Sequence, residues 1–181
     1  MHASLDGFVA GPNGEMDWIN VGDDMFEFAG KQTDRSDTAL YGRVTYGMMQ
    51  SYWPTAGDQP NASKHDKQHS GWYNKVHKVV LSTTMQESNM SNVQIINKNL
   101  YNSIIGLKES GGQDIVIFGS PTAVHSLMAE NLIDEYWLFV NPVLLAKGIP
   151  LFKNFNDQVK LKLLSTDTFG SGVVCLHYEK I

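Results

Sequence analysis

Apolar positions along this chain come in short blocks, and the spacing within each block sets the element it predicts. Ala39-Leu40-Tyr41, Val79-Val80-Leu81 and Ile115-Val116-Ile117-Phe118 are unbroken runs closed by glycine or polar residues, the pattern of buried strands. Val93-Gln94-Ile95-Ile96 predicts a further strand, and Ala3 to Ala10 predicts one interrupted at Asp6-Gly7. Between these runs the spacing lengthens. Phe26, Phe28 and Ala29 predict a helix over 22–33, and a second helix is predicted from Val44 to Tyr52. Asn99 to Glu109 predicts another, with Ile104, Ile105 and Leu107 inward and Gly111-Gly112 as its stop. Pro121 opens a helix to Glu130 from a first-turn position. Residues 53–75 are polar and aromatic, a long connection with room for a helix.

After Ile133 strands dominate. Glu135 to Val140 is one, and the alternating runs Val159 to Thr168 and Gly172 to Tyr178 flank Gly170-Ser171-Gly172 as a β-hairpin. Strand and helix alternate first and strands finish the chain. This order predicts an α/β protein with a central mixed, mainly parallel sheet, helices on both faces and an antiparallel C-terminal hairpin.

With 181 residues, the chain is expected to form a single domain over 1–181. A net charge of −5 without any basic run argues against a nucleic-acid surface. No apolar run is long enough to cross a bilayer, so no membrane partner is expected. Cys175 is the one cysteine, so no internal disulfide can form, which fits a reducing, cytoplasmic compartment. Its neighbours Val173, Val174 and Leu176 mark it as a core thiol. The chain opens inside an apparent strand, and a few residues are expected before Met1.

Chemistry concentrates in two turns. Leu40-Tyr41-Gly42-Arg43-Val44-Thr45 feeds a strand into a helix N-terminus through glycine, exposing backbone N–H groups beside an arginine fork. Phe118-Gly119-Ser120-Pro121-Thr122 repeats the arrangement, and Ser82-Thr83 ends a third strand with hydroxyl donors. Open sheets bind ligands at the carboxyl ends of their strands. Two phosphate-type turns therefore point to a ligand with two or more phosphates, a dinucleotide first, although each turn alone also reads as an ordinary connection. Neither the G-x-G-x-x-G fingerprint nor a P-loop is present. His65 and His69 stand one helical turn apart, but Asp66 and Lys67 between them read as a solvated helix face, and no metal is expected. Tyr41, Tyr46, Tyr52 and Trp53 read mostly as core, with room for one ring to border a pocket. Asp6, a carboxylate inside an apolar strand, serves either the turn beside Gly7 or the chemistry. Trp18 either caps a cofactor or anchors its glycine-rich loop.

Taken in order, these segments resemble the dihydrofolate reductase-like family, and more closely the reductase domain at the C-terminal end of the bacterial bifunctional riboflavin-biosynthesis deaminase-reductase. The matching stretches are Ser4-Leu5-Asp6-Gly7-Phe8-Val9-Ala10, Gly14-Glu15-Met16-Asp17-Trp18-Ile19, Leu40 to Tyr46, Lys78 to Thr83, Gly119-Ser120-Pro121-Thr122, Leu132-Ile133-Asp134-Glu135 and Pro142-Val143-Leu144-Leu145. The resemblance implies the three-layer dihydrofolate reductase-like fold, a homodimer joined partly through C-terminal strands, and NADPH as the cofactor. It places Thr45 on the cofactor, Gly42 and Arg43 beside its phosphates, Ser82 and Thr83 toward the adenosine 2′-phosphate, and Gly119, Ser120, Pro121, Thr122 and Ala123 at the pyrophosphate. Trp18 is implied near the nicotinamide, and Met16, Met49 and Phe118 at a pocket for a small heterocyclic substrate. Asp6 is the candidate for positioning a proton or water, and Glu27 lies in the early helix where folate reductases hold an acid. The riboflavin-pathway domain has a glutamate where this chain has Phe118 and a serine where it has Met16, and its phosphoribosyl-binding arginines have no counterpart. A hydride transfer to a pyrimidine or pterin intermediate is the expected activity; a nucleotide-binding protein without turnover is the alternative.

Overall fold

Runs of buried β-branched residues build the first sheet. The computed structural model describes residues 1–85, 88–153 and 157–181, which fall into two compact units. One unit spans Met25–Ser120, and its sheet is wholly parallel. It consists of β3 (Ser36–Gly42), β4 (His77–Leu81), β5 (Val93–Ile96) and β6 (Asp114–Ile117), in the order β5-β4-β3-β6. Ala39, Leu40, Tyr41, Val79 and Val80 on the two central strands are buried, as strands inside a parallel sheet must be. Register places Gly42 opposite Leu81, Leu81 opposite Ile96 and Leu40 opposite Ile117, so the strands end along one edge.

Four helices belong largely to this unit: α1 (Asp23–Asp34), α2 (Arg43–Ala56), α3 (Lys64–Lys75) and α4 (Leu100–Glu109). α2 runs past the expected end at Tyr52, because Pro54 lies in the last turn and removes only one hydrogen bond there. The long connection carries α3, which begins in a capping box. Ser63 Oγ accepts the Asp66 N–H at 3.0 Å, and the Asp66 carboxylate accepts the Ser63 N–H at 2.9 Å.

The other unit holds Met1–Asp24 and Pro121–Ile181. The interrupted N-terminal strand appears as β1 (His2–Ser4) and β2 (Phe8–Ala10), separated where Gly7 takes φ +86°. β7 (Glu135–Asn141) pairs parallel with β1 and antiparallel with β10 (Val174–Lys180), which pairs with β9 (Leu161–Thr168) as the expected hairpin. A short ribbon joins β2 to β8 (Ile149–Pro150), and α5 (Pro121–Ala129) is this unit's helix. Ala3, Val9 and Leu151 form a small core here, while Val173 and Cys175 are fully buried. The fold is α/β as expected, with one sheet wholly parallel and the antiparallel hairpin in another sheet, which also holds the parallel pair β1 and β7.

Candidate functional site

Connectivity singles out one point on the parallel sheet. The chain runs β3, β4, β5 in one direction, then returns through α4 to place β6 on the far side of β3. Strand order reverses between β3 and β6, and the crevice at the carboxyl edge of such a reversal is where open α/β sheets take ligands. Both glycine turns arise there. Gly42 ends β3 and caps α2 with an extended backbone and no side-chain cap, and no acidic residue lies in the first turn of α2. The first-turn N–H groups of α2 therefore have no side-chain acceptor from the cap, and the helix dipole adds partial positive charge.

The second turn is held against the first. Gly119 (φ +64°) and Ser120 (φ +61°) both take the left-handed conformation. That reversal brings Ser120 Oγ to 2.7 Å from the Gly42 nitrogen, whose N–H it accepts. A Cβ on Gly119 would meet Thr45 Cγ2 at 4.0 Å, so Thr45 faces the same turn. Gly42, Thr45, Gly119 and Ser120 are thus one cluster. The Gly42 N–H is consumed in holding it together, while the Ser120 hydroxyl keeps its own proton to donate.

Arg43 projects beside this cluster, exposed and without a carboxylate partner among the described residues. It lines an open concavity of about 490 Å³ with Tyr46, Gly47, Gln50, Ser51 and Met85. Tyr46 is thus the ring that borders a pocket, and burial pushes its phenol pKa up. Ser82 shapes the neighbouring turn: its Oγ accepts the N–H groups of Thr84 at 3.2 Å and Met85 at 3.0 Å. Thr83 beside it is exposed.

The remaining candidates are carried by other elements. Pro121, Thr122 and Ala123 open α5 in the other unit, with Thr122 exposed and Ala123 buried. Trp18 and Met16 lie in that unit too; the Trp18 indole N–H donates to the Glu15 carbonyl at 3.1 Å, anchoring its loop. Asp6 is exposed and fully engaged. It accepts Ser4 Oγ at 2.6 Å, the Ala146 N–H at 2.7 Å and the Leu145 N–H at 3.1 Å, and the Ser4 hydrogen bond leads in holding its pKa low. These bonds fix the loop where Ala146 takes φ +64°, which is the turn reading of Asp6. Glu27 is exposed on α1.

Met49 and Phe118 pack half-buried against the core cluster of the parallel-sheet unit, and around Phe118 one sequence expectation is corrected. His65 and His69 do not lie on a solvated face. His65 stacks on Phe26 at 4.1 Å, and His69 lies 4.0 Å from Trp53 and 5.1 Å from Trp72, ring centre to ring centre. Burial lowers the His69 pKa to about 4. The overlooked signal was the i, i+4, i+7 stripe of His65, His69 and Trp72, three rings on one face of α3. Tyr52 is a second correction: expected mostly in the core, it is 52% exposed and reaches Asp66 instead. Cys175 is buried as expected, and burial pushes its thiol up to about 11.

The chain belongs to the family of the RibD C-terminal domain, which matches residues 1–175. It is 34% identical to the uncharacterized protein YyaP of Bacillus subtilis, over 97% of this chain and 90% of that one. Its fold superimposes on a protein from Shewanella sp. PV-4 described as belonging to riboflavin biosynthesis, with TM-score 0.72 and 22% identity over 100% of this chain and 96% of that one. A dihydrofolate reductase from Enterococcus faecalis, solved with NADP(H), matches with TM-score 0.63 and 15% identity over 99% and 92% of the two chains. The fold is therefore dihydrofolate reductase-like, as expected from the sequence.

Proposed function

We propose that this protein is an NADPH-dependent reductase that transfers a hydride to a small heterocyclic substrate, of the type that reduces 5-amino-6-(5-phosphoribosylamino)uracil or dihydrofolate. The observation that carries this reading is the Gly42 N–H to Ser120 Oγ bond, which pins two glycine turns together at the reversal of strand order. The cluster fits a pyrophosphate: the start of α2 lacks a side-chain cap, and Arg43 brings a charge with no carboxylate partner among the described residues. Arg43 would neutralise a phosphate, Thr45 and Ser120 would donate hydroxyl hydrogen bonds, and Ser82 and Thr83 would face the 2′-phosphate. NADPH, when bound, supplies the hydride; the protein orients it and excludes water. Family membership and the NADP(H)-bound reductase of like fold support the same reading.

Titration with NADPH and NADH, followed by NADPH oxidation across candidate heterocycles, tests it. Arg43→Ala should weaken NADPH binding about tenfold, the scale of one lost charge-assisted contact, with unchanged melting temperature. Unchanged affinity would remove Arg43 from the site. A second reading, nucleotide binding without turnover, is favoured by Asp6, whose carboxylate is committed to the 145–146 loop rather than held ready as an acid. NADPH binding with no oxidation of any candidate would select it. A homodimer in a reducing, cytoplasmic setting completes the proposal. The dimer is supported by the exposed Leu163 and Leu164 on the edge strand β9, the setting by the free Cys175.

A further inference from the structure

Two dipeptides of this chain are built to close a five-membered ring on themselves, Asp6-Gly7 and Asn13-Gly14, both in the unit that holds the antiparallel hairpin. In each, a backbone nitrogen follows a side-chain carbonyl carbon, and the glycine that carries it has no Cβ to obstruct the approach. Their surroundings match closely. All four residues are exposed, Gly7 and Gly14 take φ +86° and +90°, and a Cβ on either glycine would meet nothing within 4 Å. Each glycine nitrogen donates within its own turn, Gly7 to the Ser4 carbonyl at 3.0 Å and Gly14 to the Gly11 carbonyl at 3.1 Å. Neither exposure nor backbone separates the two.

The side-chain carbon does. Asp6 accepts Ser4 Oγ at 2.6 Å, the Ala146 N–H at 2.7 Å and the Leu145 N–H at 3.1 Å, and the Ser4 bond leads in keeping it ionised. A carboxylate anion repels an attacking nitrogen, and donors that stabilise its charge protect it further. Asn13 is a neutral amide whose Nδ2 donates to Glu15 Oε1 at 2.7 Å, so its Cγ carries no such charge.

That amide is also a brace. Glu15 Oε2 takes the Asn13 backbone N–H at 2.9 Å, and the Asn13 side-chain bond leads in holding the Glu15 pKa low. The Glu15 backbone carbonyl accepts the Gly11 N–H at 2.9 Å and the Trp18 indole N–H at 3.1 Å, so the loop is folded around this residue. A carboxylate at position 13 has no proton to give Glu15 and sets like charge against like.

We infer that Asn13-Gly14 is a self-modification site, at which the loop deamidates and releases the Glu15 brace, while Asp6-Gly7 is protected by its donors. The Gly14 nitrogen gives its proton to solvent and bonds to Asn13 Cγ. The Cγ–Nδ2 bond breaks, and Nδ2 leaves as ammonia. Water opens the cyclic imide at either carbonyl, giving aspartate or isoaspartate. A water is consumed and an ammonia released, with no change of oxidation state and no need of cofactor or substrate.

Incubating the full chain in mildly alkaline buffer beside a free peptide spanning 9–18 tests this, read by residue-resolved mass mapping and isoaspartate detection. By the time the peptide has converted, the wild-type chain should gain about 1 Da at Asn13, the difference between NH2 and OH, with isoaspartate there and none at residue 6. Asn13→Gln, whose longer side chain forms the ring far more slowly, should lose the gain. Hydrogen exchange reads the brace: amides over 11–18 should exchange about fivefold faster in Asn13→Asp than in fresh wild type, as for one lost hydrogen bond, and the difference should shrink in high salt. An unmodified chain beside a converted peptide, isoaspartate at residue 6, or equal exchange in Asn13→Asp and wild type would overturn the inference.

Discussion

At φ +61° Ser120 holds a backbone conformation that costs an ordinary L-residue about 1–2 kcal/mol. Its hydroxyl takes the Gly42 N–H in return, so a local strain is offset by a bond that joins two distant turns. Asp6 acts similarly on Ala146, tying down a left-handed alanine through its N–H. Gly148 shows the steric side of the same economy. A Cβ there would overlap the Ala10 carbonyl oxygen, a backbone atom with no rotamer to yield. Gly148→Ala should therefore cost about 3 kcal/mol by overpacking, forcing β2 and β8 apart. A melting temperature lowered by roughly 6–10 °C would register it, and a shift under about 2 °C would show that the backbone yields. The Asp6 role was half legible: an acid beside Gly7 suggested a turn, but its partners lie about 140 positions away in sequence and no local pattern announces them.

Elements were legible in proportion to their length and to how far their own residues set them. β3, β4, β5 and β6 stand where short apolar runs predicted them; the central pair β3 and β4 is buried on both faces and so needs apolar residues in succession, while β5 and β6 at the sheet edges keep Gln94 and Asp114 exposed. β8 was not legible: two residues, one of them Pro150, carry no period. α3 was only half legible. Its Ser63 and Asp66 box is a local start signal, but the ring stripe was masked by the charged residues interleaved with it. β9 carries the prediction at this scale. It is an edge strand whose register shifts opposite His177 and Tyr178, and Leu163 and Leu164 are 49% and 39% exposed on it. Exposed leucines on a strand edge invite pairing with another chain. Replacing both with lysine should convert the proposed dimer to a monomer in light scattering, at unchanged melting temperature. A dimer that persists would place its interface elsewhere.

For the molecule as a whole, the burial of His69 among rings ties stability to pH. His69 has a pKa of about 4 in the folded chain and about 6.5 when unfolded. Between those values the unfolded state binds the extra proton. His69's contribution is therefore complete above pH 6.5 and is lost as pH falls toward 4. Urea unfolding should show roughly 1–2 kcal/mol less stability from this residue at pH 5 than at pH 7, allowing for the ring's partial solvent contact. His69→Phe should remove that part of the slope, and an unchanged slope would mean that the imidazole is free to charge in place.

The chain's own order of residues determined which segments become strands and helices, where glycine must let the backbone turn, and that arginine and hydroxyl groups follow those turns. These are local properties, set by side-chain period, backbone sterics and helix ends. Only the tertiary structure decided that the turns at Gly42 and Gly119 share a hydrogen bond, that Asp6 spends its lone pairs on a loop, and that two histidines sit among tryptophans rather than in water. Each of those depends on groups brought together from far along the chain, where proximity comes from the order of strands in a sheet rather than from spacing in sequence.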